Sequence, residues 1–178
     1  TRYHCVTGVQ TCALPISQVA RLTREIGARM VVDSSGPALA AALQAGVWLV
    51  KPSLRELTEL TGRDLQTPDA QRQAARSLIE RGQAQVVALS LGSAGAMLVT
   101  AGQCLQAEAL PVTVASSVGA GDSFLAALIW ALDRSPDLGE ALSTAMAAGA
   151  AAVLAAGTAL CQPPDMAALR HQVQLRDC

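Results

Sequence analysis

Residues 116–124 read Ser-Ser-Val-Gly-Ala-Gly-Asp-Ser-Phe, and small or apolar residues then continue at helical spacing. The glycines at 119 and 121 allow a tight turn in which several backbone N–H groups point to one place. That place is also the positive end of the helix that follows. Converging amides and a helix dipole suit a phosphoryl group, and Asp122 is near enough to take a proton from a hydroxyl. The alternative is a plain helix start whose acidic first-turn residue stabilises it by about 0.3–1 kcal/mol.

Short apolar segments alternate with helical patterns on both sides of this turn. The strands are predicted at 30–32, 47–50, 86–91, 96–100 and 103–107, the last of them antiparallel. The helices are predicted at 17–28, 37–45, 53–60, 67–81, 119–132, 138–155 and 165–174. This alternation predicts a three-layer α/β fold with a mainly parallel sheet.

Composition and charge exclude several classes of protein. Hydrophobic residues make up 51% of the 178 residues but aromatic residues only 2%, which favours helices packed tightly on a sheet. A net charge of −1 with 15% charged residues offers no electrostatic surface for nucleic acid or an anionic membrane. The most apolar stretch, 141–160, is rich in Ala and Gly, and we expect a buried core helix there rather than a membrane span.

The cysteines and histidines indicate no metal site. The five cysteines are widely spaced and form no C-x-x-C pair, which favours scattered thiols of a cytosolic protein over a disulfide framework or a zinc site. They are Cys5, Cys12, Cys104, Cys161 and Cys178. The two histidines, His4 and His171, are too few and too far apart for a metal cluster.

Residues 1–16, TRYHCVTGVQTCALPI, differ from everything that follows. They show neither helical nor alternating periodicity, and they lack the order of regions found in a signal peptide. The string resembles the translated read-through of a sequencing-library adapter. We therefore expect this segment to be non-native and the natural chain to begin further upstream.

Four further motifs accompany the 116–124 turn in a fixed order. They are 32–36 (V-D-S-S-G), 51–56 (K-P-S-L-R-E), 90–96 (S-L-G-S-A-G-A) and 157–158 (G-T). Together with G-A-G-D they resemble the ribokinase-like (PfkB) carbohydrate kinases, whose signature is usually D-T-x-G-A-G-D. Ser116 and Ser117 replace the Asp-Thr pair, which is similar to the minor-type bacterial 6-phosphofructokinase branch. The resemblance extends from Ser17 to about Arg176.

The resemblance implies a ribokinase-like fold and ATP-dependent phosphoryl transfer, with fructose 6-phosphate converted to fructose 1,6-bisphosphate as the leading reaction. Asp122 would be the general base that deprotonates the acceptor hydroxyl. The backbone of Gly119, Ala120 and Gly121 would form the anion hole for the transferred γ-phosphoryl group. Ser90, Gly92 and Gly95 would line the nucleotide phosphates and ribose.

Metal and cofactor positions are implied in the same way. Lys51, Ser53 and Glu56 would lie beside the nucleotide, with Lys51 and Glu56 near the phosphates and Mg²⁺ with its waters. The resemblance also implies a monovalent cation such as K⁺, bound by backbone carbonyls near Ser116, Val118, Ala152, Ala155 and Gly157. Of these residues, Ser116 and Val118 would also lie next to the nucleotide cofactor.

Three of these residues also have plain structural interpretations. Ser53 stands where the family has Asn, and it could be a helix cap that forms a capping box with Glu56. A serine in that position would hold a metal-bound water less well than an amide. For Asp33, a carboxylate that caps the next helix is favoured over direct catalysis. Lys51 could be an ordinary exposed lysine.

The first half of the family's domain has no counterpart in this sequence. In the kinases that the chain resembles, that half supplies most of the sugar pocket and a β lid that often dimerises. We therefore expect residues 17–178 to be the C-terminal, nucleotide-binding part of a cytoplasmic, homodimeric kinase. The fragment alone is expected to be inactive and prone to aggregate, because apolar strand edges are exposed.

Other functions remain open from sequence alone. Within the class, these are 1-phosphofructokinase, tagatose-6-phosphate kinase and ribokinase. A pseudoenzyme that binds nucleotide without turnover is another class, although such a protein would often have lost Asp122. A Rossmann-type dinucleotide binder is disfavoured, because no G-x-G-x-x-G follows the first strand.

Overall fold

The structure, a computed structural model, describes residues 10–154 and 161–178, and for residues 10–15 the backbone only. The helices are α1 Gln10–Glu25, α2 Gly36–Ala45, α3 Leu54–Thr61, α4 Pro68–Glu80, α5 Ala120–Arg134, α6 Leu138–Leu154 and α7 Pro163–Arg170. The strands are β1 Val31–Val32, β2 Val47–Val50, β3 Ala84–Ser90, β4 Ala96–Val99, β5 Cys104–Ala107 and β6 Leu175–Asp177. The chain divides into two compact units between Ala88 and Leu89, within β3.

The first unit contains a parallel arrangement of β1, β2 and β3. Val32 is opposite Val50, and Leu49 is opposite Val86. Most of these strand residues are buried, which explains why they form apolar runs rather than alternating patterns. The predicted strands at 30–32 and 47–50 are therefore confirmed with small changes of boundary.

The second unit contains the antiparallel strands β4, β5 and β6 together with helices α5, α6 and α7. Helix α6 buries nine residues, six of which are alanines, so that neighbouring helices can approach its backbone closely. The predicted core helix is thus confirmed: α6 is helical to Leu154, and its buried residues extend from Ala141 to Ala152. No helix among the described residues is long and apolar enough to cross a membrane.

Two predicted helix boundaries are wrong. Helix α1 begins at Gln10 rather than at Ser17, so residues 10–16 are helical although they lack a helical pattern. A helix that has been nucleated gains one hydrogen bond for each residue added, so a weak segment can extend a stronger one. At the other end, the helix predicted at 165–174 stops at Arg170, and residues 175–177 pair with β5 as an edge strand.

The expectation of scattered thiols is also wrong for one pair, because Cys104 and Cys178 form a disulfide. Cys104 begins β5, and Cys178 follows β6, its antiparallel neighbour. The Cys178 amide donates to the Cys104 carbonyl at 3.1 Å, and the two Cα atoms lie 5.2 Å apart. Strand register brings together two residues that are 74 positions apart, which spacing alone does not reveal.

Breaking this disulfide is expected to lower the free energy of unfolding by about 2–4 kcal/mol, since a long closed loop restricts the unfolded chain. The measurement is urea denaturation of Cys178→Ser and of the unsubstituted 178-residue chain, the latter with and without reductant. Cys161→Ser is the matched control, because Cys161 is a free cysteine. Equal stability of the oxidised chain, the reduced chain and Cys178→Ser would contradict the prediction.

Candidate active site

Lys51 and Asp33 meet at the carboxyl ends of β2 and β1 in the first unit. These strands are parallel and in register at their last residues, so the residues that follow lie side by side. The Lys51 Nζ atom is 2.9 Å from the Asp33 Oδ2 atom, and Lys51 is only 8% exposed. Lys51 is therefore a buried member of an ion pair rather than an ordinary exposed lysine.

The predicted capping role of Asp33 is wrong. Ser35 occupies the N-cap position of α2 and makes no side-chain capping hydrogen bond. The carboxylate of Asp33 turns to Lys51 instead, because an ammonium group with little access to water needs an opposite charge nearby.

Replacing Asp33 by Ala is expected to destabilise the chain more than replacing Lys51 by Met. The first change leaves a buried ammonium group unpaired, whereas the second removes it and leaves a carboxylate that is 33% exposed. We expect about 2–3 kcal/mol for Asp33→Ala, below the range for a fully buried pair because water screens Asp33, and about 1 kcal/mol for Lys51→Met. Urea denaturation measures both.

The control for this comparison is Glu59→Ala, which breaks an exposed ion pair. In that pair the Arg55 Nε atom lies 3.8 Å from the Glu59 Oε1 atom. Such pairs contribute at most about 1 kcal/mol. A larger loss of unfolding free energy for Lys51→Met than for Asp33→Ala would contradict the prediction. It would show that the unpaired ammonium group of Lys51 is not the main cost of breaking the pair.

Ser53 and Glu56 form the capping box predicted for the start of α3. The Glu56 amide donates to Ser53 Oγ at 3.3 Å, and the Ser53 amide donates to Glu56 Oε2 at 2.7 Å. The cap interpretation of Ser53 is therefore confirmed. Contact of either side chain with a nucleotide or a metal-bound water remains a prediction.

The segment Ser90–Ala96 leaves the end of β3 through a single 3₁₀ turn. The Leu91 amide donates to the Gly95 carbonyl at 2.9 Å, which closes the loop and leaves Gly92 on the surface. Gly95 has φ +101°, and a Cβ atom there would lie 2.0 Å from the carbonyl oxygen of Ala107. Gly95 thus lets this loop pack directly on the end of β5.

The turn before α5 is anchored at its start on helix α6. The amides of Ala115 and Ser116 both donate to the Val153 carbonyl, at 2.8 and 3.3 Å. The Val118 amide then donates to Ser116 Oγ at 3.2 Å. Sequence reasoning did not identify Val153 as the anchor, since a backbone carbonyl carries no residue signature.

Gly119 is the N-cap of α5, with φ +80°, and a Cβ atom there would meet no atom of the described residues within 4 Å. The turn therefore needs glycine for its left-handed backbone, and it leaves open space beside it. Among the first helical amides, that of Ala120 donates to the Ser117 carbonyl at 3.5 Å. Those of Gly121 and Asp122 have no partner within the part of the chain that the structure describes.

Asp122 lies in the first turn of α5 with an exposed side chain. No ion pair or hydrogen bond ties its carboxylate to another described residue. A free carboxylate beside open backbone amides can accept a proton while the amides accommodate negative charge. This donor set fits a transferable phosphoryl group and a hydroxyl acceptor.

The residues predicted near a monovalent cation are only partly described. Ser116 and Val118 lie in the turn, and Ala152 is buried in α6, one residue before the Val153 anchor. Ala155 and Gly157 lie outside the described residues, as does Thr158. Within the described ranges, no group of three or more His, Cys, Asp or Glu side chains could hold a metal ion.

An α/β chain with a glycine-opened helix start and an exposed carboxylate in its first turn is typical of phosphoryl-transfer enzymes. The sequence pattern of the pfkB family carbohydrate kinases matches residues 11–165, and the chain belongs to this family. The resemblance inferred from the motifs is thereby confirmed, together with the ribokinase-like fold.

Three known proteins illustrate the similarity. ATP-dependent 6-phosphofructokinase isozyme 2 of Escherichia coli K12 is 42% identical over 151 residues, which cover 84% of this chain and 49% of that protein. 1-Phosphofructokinase of Rhodobacter capsulatus is 39% identical over 160 residues, covering 90% and 50%. The crystal structure of E. coli phosphofructokinase-2 in complex with potassium matches with a TM-score of 0.85 and 39% identity, covering 90% and 52%. The chain spans about half the length of these relatives.

Proposed function

We propose that this chain provides the nucleotide-binding and catalytic-base part of an ATP-dependent kinase whose acceptor is fructose 6-phosphate. The observation that carries the proposal is the N-terminus of α5, where, among the described residues, Gly119 leaves space beside unpartnered amides and the Asp122 carboxylate has no partner. The 42% identity to an ATP-dependent 6-phosphofructokinase supports this acceptor. The 39% identity to a 1-phosphofructokinase makes fructose 1-phosphate the second candidate.

In this proposal Asp122 accepts the proton of the sugar hydroxyl as that oxygen forms its bond to phosphorus. The amides of residues 119–121 bind the equatorial oxygens, where negative charge must be stabilised during transfer. ATP, when bound, would supply the γ-phosphoryl group, whose bond to the bridging oxygen breaks as ADP leaves. The loop at 90–96 binds the remaining phosphates and ribose through Ser90, Gly92 and Gly95.

The remaining site residues have supporting roles in the same proposal. Lys51 contributes positive charge near the phosphates, and Glu56 orients a water on Mg²⁺ through the carboxylate oxygen that Ser53 does not occupy. The backbone carbonyls of residues 116, 118 and 152, together with those of residues 155 and 157 outside the described ranges, would lie near K⁺. The relative solved in complex with potassium supports the last assignment.

We also propose that residues 17–178 are the C-terminal part of a longer, homodimeric kinase and that residues 1–16 are non-native. The coverage of about half of each relative supports the first point. Helix α1 supports it too, because Val19, Leu22 and Ile26 are 48%, 52% and 77% exposed and recur at helical spacing. Such an apolar stripe is typical of a surface that another part of a protein covers. The proposal places the enzyme in the cytoplasm.

A chimera tests the proposed reaction. The first half of the E. coli isozyme, joined to residues 17–178 of this chain, would supply the acceptor pocket. We expect ATP-dependent formation of fructose 1,6-bisphosphate from fructose 6-phosphate, measured through a coupled assay of product. The same chimera with Asp122→Asn is the control. A folded chimera that binds fructose 6-phosphate but transfers no phosphoryl group would contradict the proposal.

A further inference from the structure

We infer that Gly149 is a positioning residue that sets where the first turn of α5 lies. Gly149 is in the fourth turn of α6, far in sequence from the 116–122 turn. A Cβ atom on Gly149 would be 3.3 Å from the Ala120 carbonyl oxygen and 3.4 Å from Phe124 Cβ. Both atoms belong to the start of α5, so the helices touch at this glycine.

These distances mean that a methyl group at Gly149 would displace its neighbours. The 3.3 Å contact with the Ala120 oxygen is tighter than nine in ten real Cβ contacts, and the 3.4 Å contact with Phe124 Cβ lies at the edge of that range, so a neighbour must move by a few tenths of an ångström. The Ala120 oxygen belongs to the backbone and Phe124 is buried, so neither can turn aside like the end of a flexible side chain. The shift therefore changes the spacing between α6 and the first turn of α5.

The same helix also holds the other end of the turn. The carbonyl of Val153, one turn beyond Gly149 in α6, accepts hydrogen bonds from the Ala115 and Ser116 amides. The 116–120 segment is thus hydrogen-bonded to α6 at Val153 and packs against the backbone of α6 at Gly149. A methyl group at Gly149 would therefore tilt the turn about its hydrogen bonds to the Val153 carbonyl. It would not shift the two ends of the turn by the same amount.

The composition of α6 supports a specific reason for this glycine. Alanine fills positions 147, 148, 150, 151 and 152, and glycine is a poor helix former that weakens a helix interior compared with alanine. Close approach of another backbone is the usual reason for such a residue. Gly149 is therefore explained by the close approach of α5, and not by the stability of α6 itself.

The consequence for function rests on the proposed phosphoryl transfer. The amides of residues 119–121 and the Asp122 carboxylate move with the first turn of α5, and positions accurate to a fraction of an ångström matter for transfer. Gly149 touches none of the reacting groups and would act through Ala120 and Phe124 alone.

The test compares Gly149→Ala with Gly139→Ala in the 178-residue chain labelled with ¹⁵N. A Cβ atom at Gly139, in the first turn of the same helix, would have three side-chain ends as its nearest neighbours, Asp137 Oδ1 and Leu175 Cδ1 at 3.2 Å and Leu105 Cδ1 at 4.0 Å, and none of these atoms belongs to α5. Both variants gain the same helix propensity. Three quantities are measured: the amide chemical shifts without nucleotide, the urea midpoint, and the affinity for MgATP by calorimetry.

We expect Gly149→Ala to move the amide resonances of residues 119–123 well beyond those of the remaining chain, with cooperative unfolding retained. MgATP affinity should fall severalfold, because the proposed site assigns the amides of residues 119–121 to the phosphates. Gly139→Ala should leave both unchanged. Unshifted 119–123 resonances in Gly149→Ala, or shifts equally large in Gly139→Ala, would overturn the inference. Loss of cooperative unfolding in Gly149→Ala would overturn it too, since Gly149 would then serve core packing in general.

The chemical shifts separate this inference from the proposed function. If the unsubstituted 178-residue chain binds no MgATP, the proposed nucleotide-binding role of this chain fails. The shifts of residues 119–123 in the chain without nucleotide would still decide whether Gly149 sets the position of the turn.

Discussion

Asp122→Asn in the chimera is expected to lower kcat by at least about a thousandfold, within the range that general-base catalysis contributes. The Asp122 side chain is exposed and Asn has the same size, so the helix should lose only the charge–dipole interaction, about 0.3–1 kcal/mol. MgATP affinity should change little, because the backbone amides and the 90–96 loop remain. Steady-state kinetics and calorimetry measure the two effects.

Asp133→Asn is the matched control for this substitution. Asp133 is an exposed carboxylate in the last turns of the same helix, away from the 116–122 turn. It should leave kcat unchanged. An Asp122→Asn chimera with undiminished turnover would show that another group removes the proton.

Gly95→Ala is expected to have the largest effect on stability. A side chain at Gly95 must adopt φ +101° and would place its Cβ atom 2.0 Å from the Ala107 oxygen and 2.9 Å from the Ala109 nitrogen. Backbone strain of about 1–3 kcal/mol and overpacking of about 1–3 kcal/mol together predict a loss of roughly 3–5 kcal/mol. The loop could escape only by separating from the end of β5. Urea denaturation is the measurement.

Substitutions at two other glycines separate the backbone strain from the overpacking that Gly95→Ala combines. Gly92 has φ +60° but open space around a Cβ atom, so Gly92→Ala should show strain alone, about 1–2 kcal/mol. Gly102 has neither a positive φ nor a neighbour within 4 Å, so Gly102→Ala should change stability by less than about 0.5 kcal/mol. Equal losses for Gly95→Ala and Gly92→Ala would contradict the role of the Ala107 contact.

Local sequence patterns predicted the elements whose causes are local. The capping box of Ser53 and Glu56 follows from residues three apart, and the buried strand 47–50 follows from an apolar run between glycine and proline. The turn at Gly119 was also predictable, since its glycines and the helix after it are contiguous. The Asp33–Lys51 pair could have been predicted from the parallel order of β1 and β2, whose ends bring these residues together.

Features that depend on distant partners were not predictable from one sequence. The Cys104–Cys178 disulfide requires the register of β5 with β6, and β6 itself has three exposed residues without an apolar pattern. The importance of Gly149 depends on a helix crossing, which leaves no sign in the composition of α6 beyond an unexpected glycine. These features follow from tertiary packing, which periodicity does not encode.

Titrating the 178-residue chain with MgATP, followed by ¹⁵N amide chemical shifts, tests most directly whether the turn at 119–122 binds nucleotide phosphate. The proposed site predicts saturable shifts at Gly119, Gly121 and Asp122 and in the 92–95 loop, with much smaller shifts when adenosine replaces ATP. Saturable binding that leaves these amides unmoved, or equal shifts with adenosine, would contradict the proposed site.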